Sequence, residues 1–173
     1  MHARTRHANL PLLILLLLAF NARGTGAAQN AAKSGSDERG GLLLVANKGN
    51  QTLGIIDPVA GRQIATVAED GVTGHEVAAS PDGKRAFVPI YGNAGVGKPG
   101  TNGRLLRVID LTTRQVVGTV DFGKGVRPHC AVFEPRNGLL YVTTKLDNSV
   151  TVIDPQALKV VGTIPTASPS RIC

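Results

Sequence analysis

Aromatic residues are nearly missing from this sequence: it has no tryptophan, two tyrosines and four phenylalanines among 173 residues. It has 21 glycines and 10 prolines, and its Val, Ile and Thr gather in short runs separated by Gly, Pro, Asn and Asp. That pattern argues against a helical domain and for short strands joined by turns. Cysteine is as scarce. Cys130 and Cys173 are the only two, and no Cys-x-x-Cys or haem-attachment spacing occurs, which excludes a redox dithiol and a covalently held haem. Leu10 to Phe20 is an apolar run of 11 residues, well short of the roughly 20 that a bilayer core needs. A basic stripe is missing too. The formal charge is +7, but Arg4, Arg6 and Arg23 lie in the first segment, and without them 16 basic residues face 12 acidic ones, a balance of +4. The rest are scattered through turns, so no nucleic-acid partner is expected.

What is present begins with a leader. Arg4 and Arg6 precede the apolar run, and small residues follow from Gly24 to Ala28. This is the order of a secretory signal peptide over residues 1–28, with Thr25 to Ala27 or Gly26 to Ala28 as the small-x-small cleavage site. No cysteine follows the apolar run, so a lipid anchor is not indicated. Residues 29–40 are small and polar and read as a flexible lead-in. The mature chain is expected in the periplasm or outside the cell, without membrane insertion after cleavage.

From Gly41 the chain repeats itself. Leu43 to Pro58 lies over Leu140 to Pro155 with one slip in the turn. Gly61 to Val67, Arg114 to Val120 and Lys159 to Ile164 follow as matching strands. His75 to Gly83 matches His129 to Gly138 in order, with the same spacing from His to Pro and one more residue in the second turn. Asp57, Asp110 and Asp154 mark successive copies at steps of 53 and 44 residues, and the longer step contains a glycine-rich insertion, Gly92 to Gly103. The underlying period is that of a four-stranded propeller blade, about 40 to 45 residues. The best-formed copy offers strands at His75 to Ser80, Arg85 to Pro89, Leu105 to Asp110 and Gln115 to Val120. Pro81-Asp82-Gly83 turns the chain between the first two. One such sheet cannot bury both of its faces, whereas a stack of them can.

The expected fold is therefore all-β: a β-propeller of four-stranded antiparallel blades, with about two and a half to three blades in a partial ring. Blade repeats span residues 41–67, 75–120 and 129–164, and another starts at 168–173, within one region, 41–173. A closed ring needs four or more blades, so the chain is expected to be a truncated piece of a larger ring. Closure by association of several copies is the alternative, and open sheet edges favour self-association.

Leu140 to Thr144, Leu44 to Asn47, Ser80 to Arg85, Val108 to Asp110, Val152 to Asp154 and the Val-Val-Gly-Thr segments at 116–119 and 160–163 resemble the YVTN family of β-propeller repeats. The likeness runs from Gly41 to the end. It implies an exported, seven-bladed propeller with a surface-exposed or periplasmic location. Thr144 departs from the motif that names the family. That family includes enzymes and non-enzymes, so the likeness implies no activity.

Few residues suggest chemistry. His75 and His129 take the same place in successive copies, just before the first strand, and in a propeller would lie near one mouth of the channel. With Glu76 they are the candidate ligand-binding residues, since convergent imidazoles and a carboxylate can polarise or hold a ligand. The competing reading is that each histidine fixes its blade by bonding a neighbouring loop. Two histidines without a clear third ligand do not define a metal site, so no metal, cofactor or catalytic residue is assigned. Ile172 takes the equivalent place in the next copy. Gly92 to Pro99 nearly fits a phosphate-binding loop, but Pro99 stands where a Ser or Thr hydroxyl is needed, leaving a flexible loop as the better reading. Cys130 and Cys173 are equivalent positions of neighbouring copies, too far apart for a disulfide unless their Cα atoms come within about 7 Å. Asp57, Asp110 and Asp154 read as turn formers.

The function expected from these residues is a non-enzymatic exported binding or scaffold module, with a protein or small molecule as partner. The alternative is the remnant of a propeller enzyme, of lactonase, lyase or quinoprotein-associated type, with its site at the central channel.

Overall fold

A computed structural model describes residues 40–72, 74–93 and 99–168. Its strands are β1 (Leu43–Asn47), β2 (Thr52–Asp57), β3 (Arg62–Ala68), β4 (Ala78–Ala79), β5 (Arg85–Gly92), β6 (Asn102–Asp110), β7 (Gln115–Asp121), β8 (Pro128–Phe133), β9 (Leu140–Thr144), β10 (Ser149–Asp154) and β11 (Lys159–Pro165). Among the described residues the only helical element is a single 3-10 turn, Lys145–Asp147. The strands form three antiparallel sheets in chain order, β1-β2-β3, β4-β5-β6-β7 and β8-β9-β10-β11. The chain is thus all-β, as its composition predicts.

The last hairpin turn of each copy is built from its own sequence. Asp57 accepts bonds from the N–H of Val59 and Ala60, both at 2.9 Å. Asp110 does the same for Thr112 and Thr113 at 2.9 and 2.7 Å, and Asp154 for Gln156 and Ala157 at 2.8 and 2.9 Å. A short carboxylate bonded to backbone two and three residues ahead closes a turn without help from the rest of the fold. Each turn then passes through one left-handed residue, Gly61 (φ 62°), Arg114 (φ 59°) or Leu158 (φ 52°). Just beyond it the register slips in the same way three times, between Ile55 and Ile56, Val108 and Ile109, and Val152 and Ile153. A bulge repeated in register is a property of the repeat and not an accident of one strand.

Alternation along the strands decides the packing. In β5, Ala86, Val88 and Ile90 pack with Leu53, Ile55 and Val67 of the first sheet and with Ile109. Phe87, on the other face, packs with Leu106, Val108 and Val120 against Ala131, Leu140, Val142 and Ile153 of the third sheet. Phe87 and Phe133 meet edge to face with centroids 5.3 Å apart, a favoured aromatic geometry. The middle sheet is buried on both faces, which is why β5 reads as an almost unbroken apolar run.

The first strand of the middle sheet is shorter than the expected His75 to Ser80. Only Ala78 and Ala79 pair, with Phe87 and Ala86, and Gly74 forms a separate bridge to Ile90. Pro89 accepts a bond from the His75 N–H at 3.4 Å but has no N–H to return, so the ladder lacks one bond there. Conversely, β5 runs past the expected Pro89 to Gly92, extending the hairpin into the inserted segment. Residues 94–98, most of the near phosphate-loop motif, lie outside the described residues, as do the leader, Ile172 and Cys173.

Candidate functional site

The register slip beside β4 recurs in the third sheet, where β8 stays continuous. Gly74 bridges Ile90 before the register slips and Ala78 pairs with Phe87. Pro128 pairs with Thr144 before it slips and Ala131 pairs with Val142. His75 follows the first contact and His129 the second. In the second case the Cys130 N–H turns to the Thr143 hydroxyl at 3.0 Å. Bulges of this kind re-aim side chains, and here they aim two equivalent histidines at each other.

The imidazole centroids lie 4.6 Å apart at 38°. Tyr91 closes the group, 5.3 Å from each ring and edge-on to His129. It is 1% exposed and its hydroxyl accepts a bond from Lys145 Nζ at 3.2 Å. Glu76 completes the set: one donor atom each from His75, Glu76 and His129 lies within 4.8 Å of the other two. All three residues are half-buried. His75 Nδ1 stands 3.5 Å from Glu76 Oε1, yet this nitrogen is buried and makes no hydrogen bond among the described residues. The pair is close enough to attract but not aligned to bond. Burial, then the neighbouring His75 and Lys145, push the His129 pKa below the ordinary imidazole value against the pull of Glu76. This favours the uncharged imidazole.

Cations form one side of this group. The Arg127 guanidinium lies 5.7 Å and Lys145 Nζ 5.9 Å from the Tyr91 ring centroid, within the range of a cation–π contact. Arg127 is held by a 2.7 Å bond from its Nε to Asn102 Oδ1. Its carbonyl accepts the Lys145 N–H at 3.3 Å, so the backbone that carries one cation positions the other.

A buried carboxylate supports the approach to His75. Glu69 is fully buried; its Oε2 accepts the Gly74 N–H at 2.8 Å, and its Oε1 has no partner among the described residues. A Cβ at position 74 would lie 2.4 Å from that carboxylate, so only glycine lets the two approach. Burial pushes the Glu69 carboxyl above the ordinary glutamate value, partly offset by the Gly74 bond. Arg107 pins the same segment from below. Its Nε bonds the Glu69 carbonyl at 2.9 Å and its Nη1 the Thr119 hydroxyl at 2.8 Å, and its Nη2 reaches the Asp70 carbonyl.

The structure brings together all three residues singled out in the sequence, His75, Glu76 and His129. Tyr91, Lys145, Arg127 and Glu69 were not foreseen. One signal was available for two of them: Tyr91 follows Ile90 and Lys145 follows Thr144, the paired residues of the two matching contacts, so they occupy the same place in successive copies. Nothing in the sequence around Glu69 marks it as buried. Cys130 is half-buried, and Cys173, the equivalent position of the next copy, lies outside the described residues.

No family model matches the chain, and no curated protein does. Among solved structures it is similar to hydrazine synthase of Kuenenia stuttgartiensis, at 22% identity and a TM-score of 0.61 over 75% of this chain and 34% of that one. The chain therefore spans about a third of that neighbour's length. At this identity the likeness concerns the fold alone, and with three stacked antiparallel sheets it makes the architecture β-propeller-like.

Proposed function

We propose that this chain is an exported β-propeller module of the YVTN type that binds a ligand where the ends of its blades converge, without turning it over. The described sheets would be three blades of a seven-bladed ring, and the leader over residues 1–28 would direct it to the periplasm or beyond. One observation carries the binding reading: His75 and His129, the same position of successive sheets, meet ring to ring at 4.6 Å. A histidine that only fixed its own blade would have no reason to face its counterpart. The group around them offers imidazole lone pairs, a carboxylate, an ammonium and an aromatic wall, the mixture that orients a small polar ligand in a pocket. The same convergence of acid and imidazole from two sheets also favours the second reading, the remnant of a propeller enzyme.

Histidine-labelled NMR of the full chain, titrated with inorganic phosphate, small carboxylic acids and divalent ions, separates these readings. Binding predicts that at least one probe moves the His75 and His129 signals together and leaves His2 and His7 unmoved. Silence from both rings across the panel overturns it, and chemical conversion of a probe would establish the enzyme reading instead. N-terminal sequencing of the exported chain should begin at Ala28 or Gln29; retention of Met1 in a cytoplasmic fraction overturns the export proposal.

A further inference from the structure

We propose that His75, Glu76 and His129 form a site for a divalent transition ion of the zinc class, the two imidazoles and the carboxylate serving as three protein ligands. This rests on the reading of the cluster as a ligand site and names what that ligand is. Two imidazoles with one carboxylate are a recurrent three-ligand set for zinc that leaves a fourth position to solvent or substrate. Imidazole nitrogen also suits this class of ion better than magnesium or calcium, which take oxygen ligands.

The geometry carries the argument past composition. Donors at about 2.1 Å from a tetrahedral ion stand about 3.4 Å from each other. His75 Nδ1 and Glu76 Oε1 are 3.5 Å apart, too long and too poorly aligned for a hydrogen bond but the separation of two ligands on one ion. His75 Nδ1 is also a buried polar atom with no hydrogen bond among the described residues, a costly state in a native protein unless something else occupies its lone pair. One ligand atom each from His75, Glu76 and His129 lies within 4.8 Å of the other two, so side-chain movement of up to about 1.4 Å closes the set. Tyr91 packs against both rings and limits their rotation, the task that outer residues perform around metal ligands. Lys145, bonded to the Tyr91 hydroxyl, places a positive charge beside the site and opposes the ion. Affinity is therefore expected in the micromolar range, and Lys145→Met should tighten it severalfold.

Calorimetric titration of the full chain with zinc chloride tests this. One ion per chain should bind at this site, and His75→Ala and His129→Ala should each weaken it about tenfold or more, since even outer-partner losses at metal sites cost 10- to 100-fold. Glu76→Gln should weaken it in the same direction, while His2→Gln/His7→Gln leaves it unchanged. A measurement that needs no variant guards against misfolding: Co2+ added to the intact chain should give the visible absorption of a four-coordinate ion and broaden the His75 and His129 NMR signals selectively. No saturable zinc binding, binding that survives loss of both histidines in folded variants, or Co2+ broadening confined to His2 and His7 would overturn the proposal. Failure to bind zinc while inorganic phosphate still shifts the His75 and His129 signals removes the metal and leaves the ligand-binding reading standing. No response to zinc or to any other member of the panel removes both.

Discussion

Arg107 is the residue whose loss should be felt furthest from its own position. Its guanidinium makes one hydrogen bond within the middle sheet and two to the backbone at Glu69 and Asp70, so it ties the linker between the first two sheets to β6. Hydrogen bonds from a charged donor contribute about 1.5–3 kcal/mol. Arg107→Ala should accordingly lower unfolding stability by roughly 2 kcal/mol in urea titrations, and an unchanged midpoint would sink this account of the linker. Glu69 makes a prediction of opposite character. Its carboxyl is pushed up by burial, so the folded chain binds that proton more tightly than the unfolded one. Its contribution is then fully present below the ordinary glutamate range and is lost as pH rises through the raised value. In Glu69→Gln that loss is abolished: relative to the natural chain, the variant should gain stability progressively as pH rises through this window. Parallel stability profiles for the two proteins would show that Glu69 is not protonated preferentially in the folded state.

At the scale of the element, the recurring unit is the hairpin closed by Asp57, Asp110 or Asp154. Its fifth residue adopts left-handed φ in every copy, but only the first copy places glycine there; Arg114 and Leu158 hold the same conformation with a side chain. That conformation costs an ordinary residue about 1–2 kcal/mol, and glycine loses about 0.5–1 kcal/mol of that advantage to its greater freedom when unfolded. Arg114 is exposed, so Arg114→Gly should raise stability by about 0.5–1 kcal/mol by thermal or urea unfolding. Destabilisation by the same substitution would mean that the Arg114 side chain makes a contribution larger than its backbone cost. Leu158 does not offer the same gain, because its side chain packs against the core between the second and third sheets. The turns were legible in the sequence because they are local: one carboxylate, two N–H groups within three residues, one left-handed position. The break in β4 was less so, since strand register is a tertiary fact.

For the whole molecule, the three sheets are unequal. The middle one packs on both faces and exposes only Val117 of its described large hydrophobics, whereas the outer ones leave Leu43, Val45, Val132, Val161 and Ile164 exposed. Amide hydrogen exchange should therefore be slowest in β5 and β6 and fastest at β1 and β11; equal protection across the sheets would contradict a stack held by two interfaces. The sequence by itself determined the all-β class, the repeating unit, its turns and the equivalence of His75 with His129, because each rests on period-two alternation or on bonds between near neighbours in the chain. Only the tertiary structure decided that the two histidines face each other with Glu76, that Tyr91, Lys145 and Arg127 surround them, and that Glu69 is buried beneath. Those relations depend on how one sheet lies on the next. That placement arises from side-chain packing between residues far apart in the chain, which no local pattern encodes.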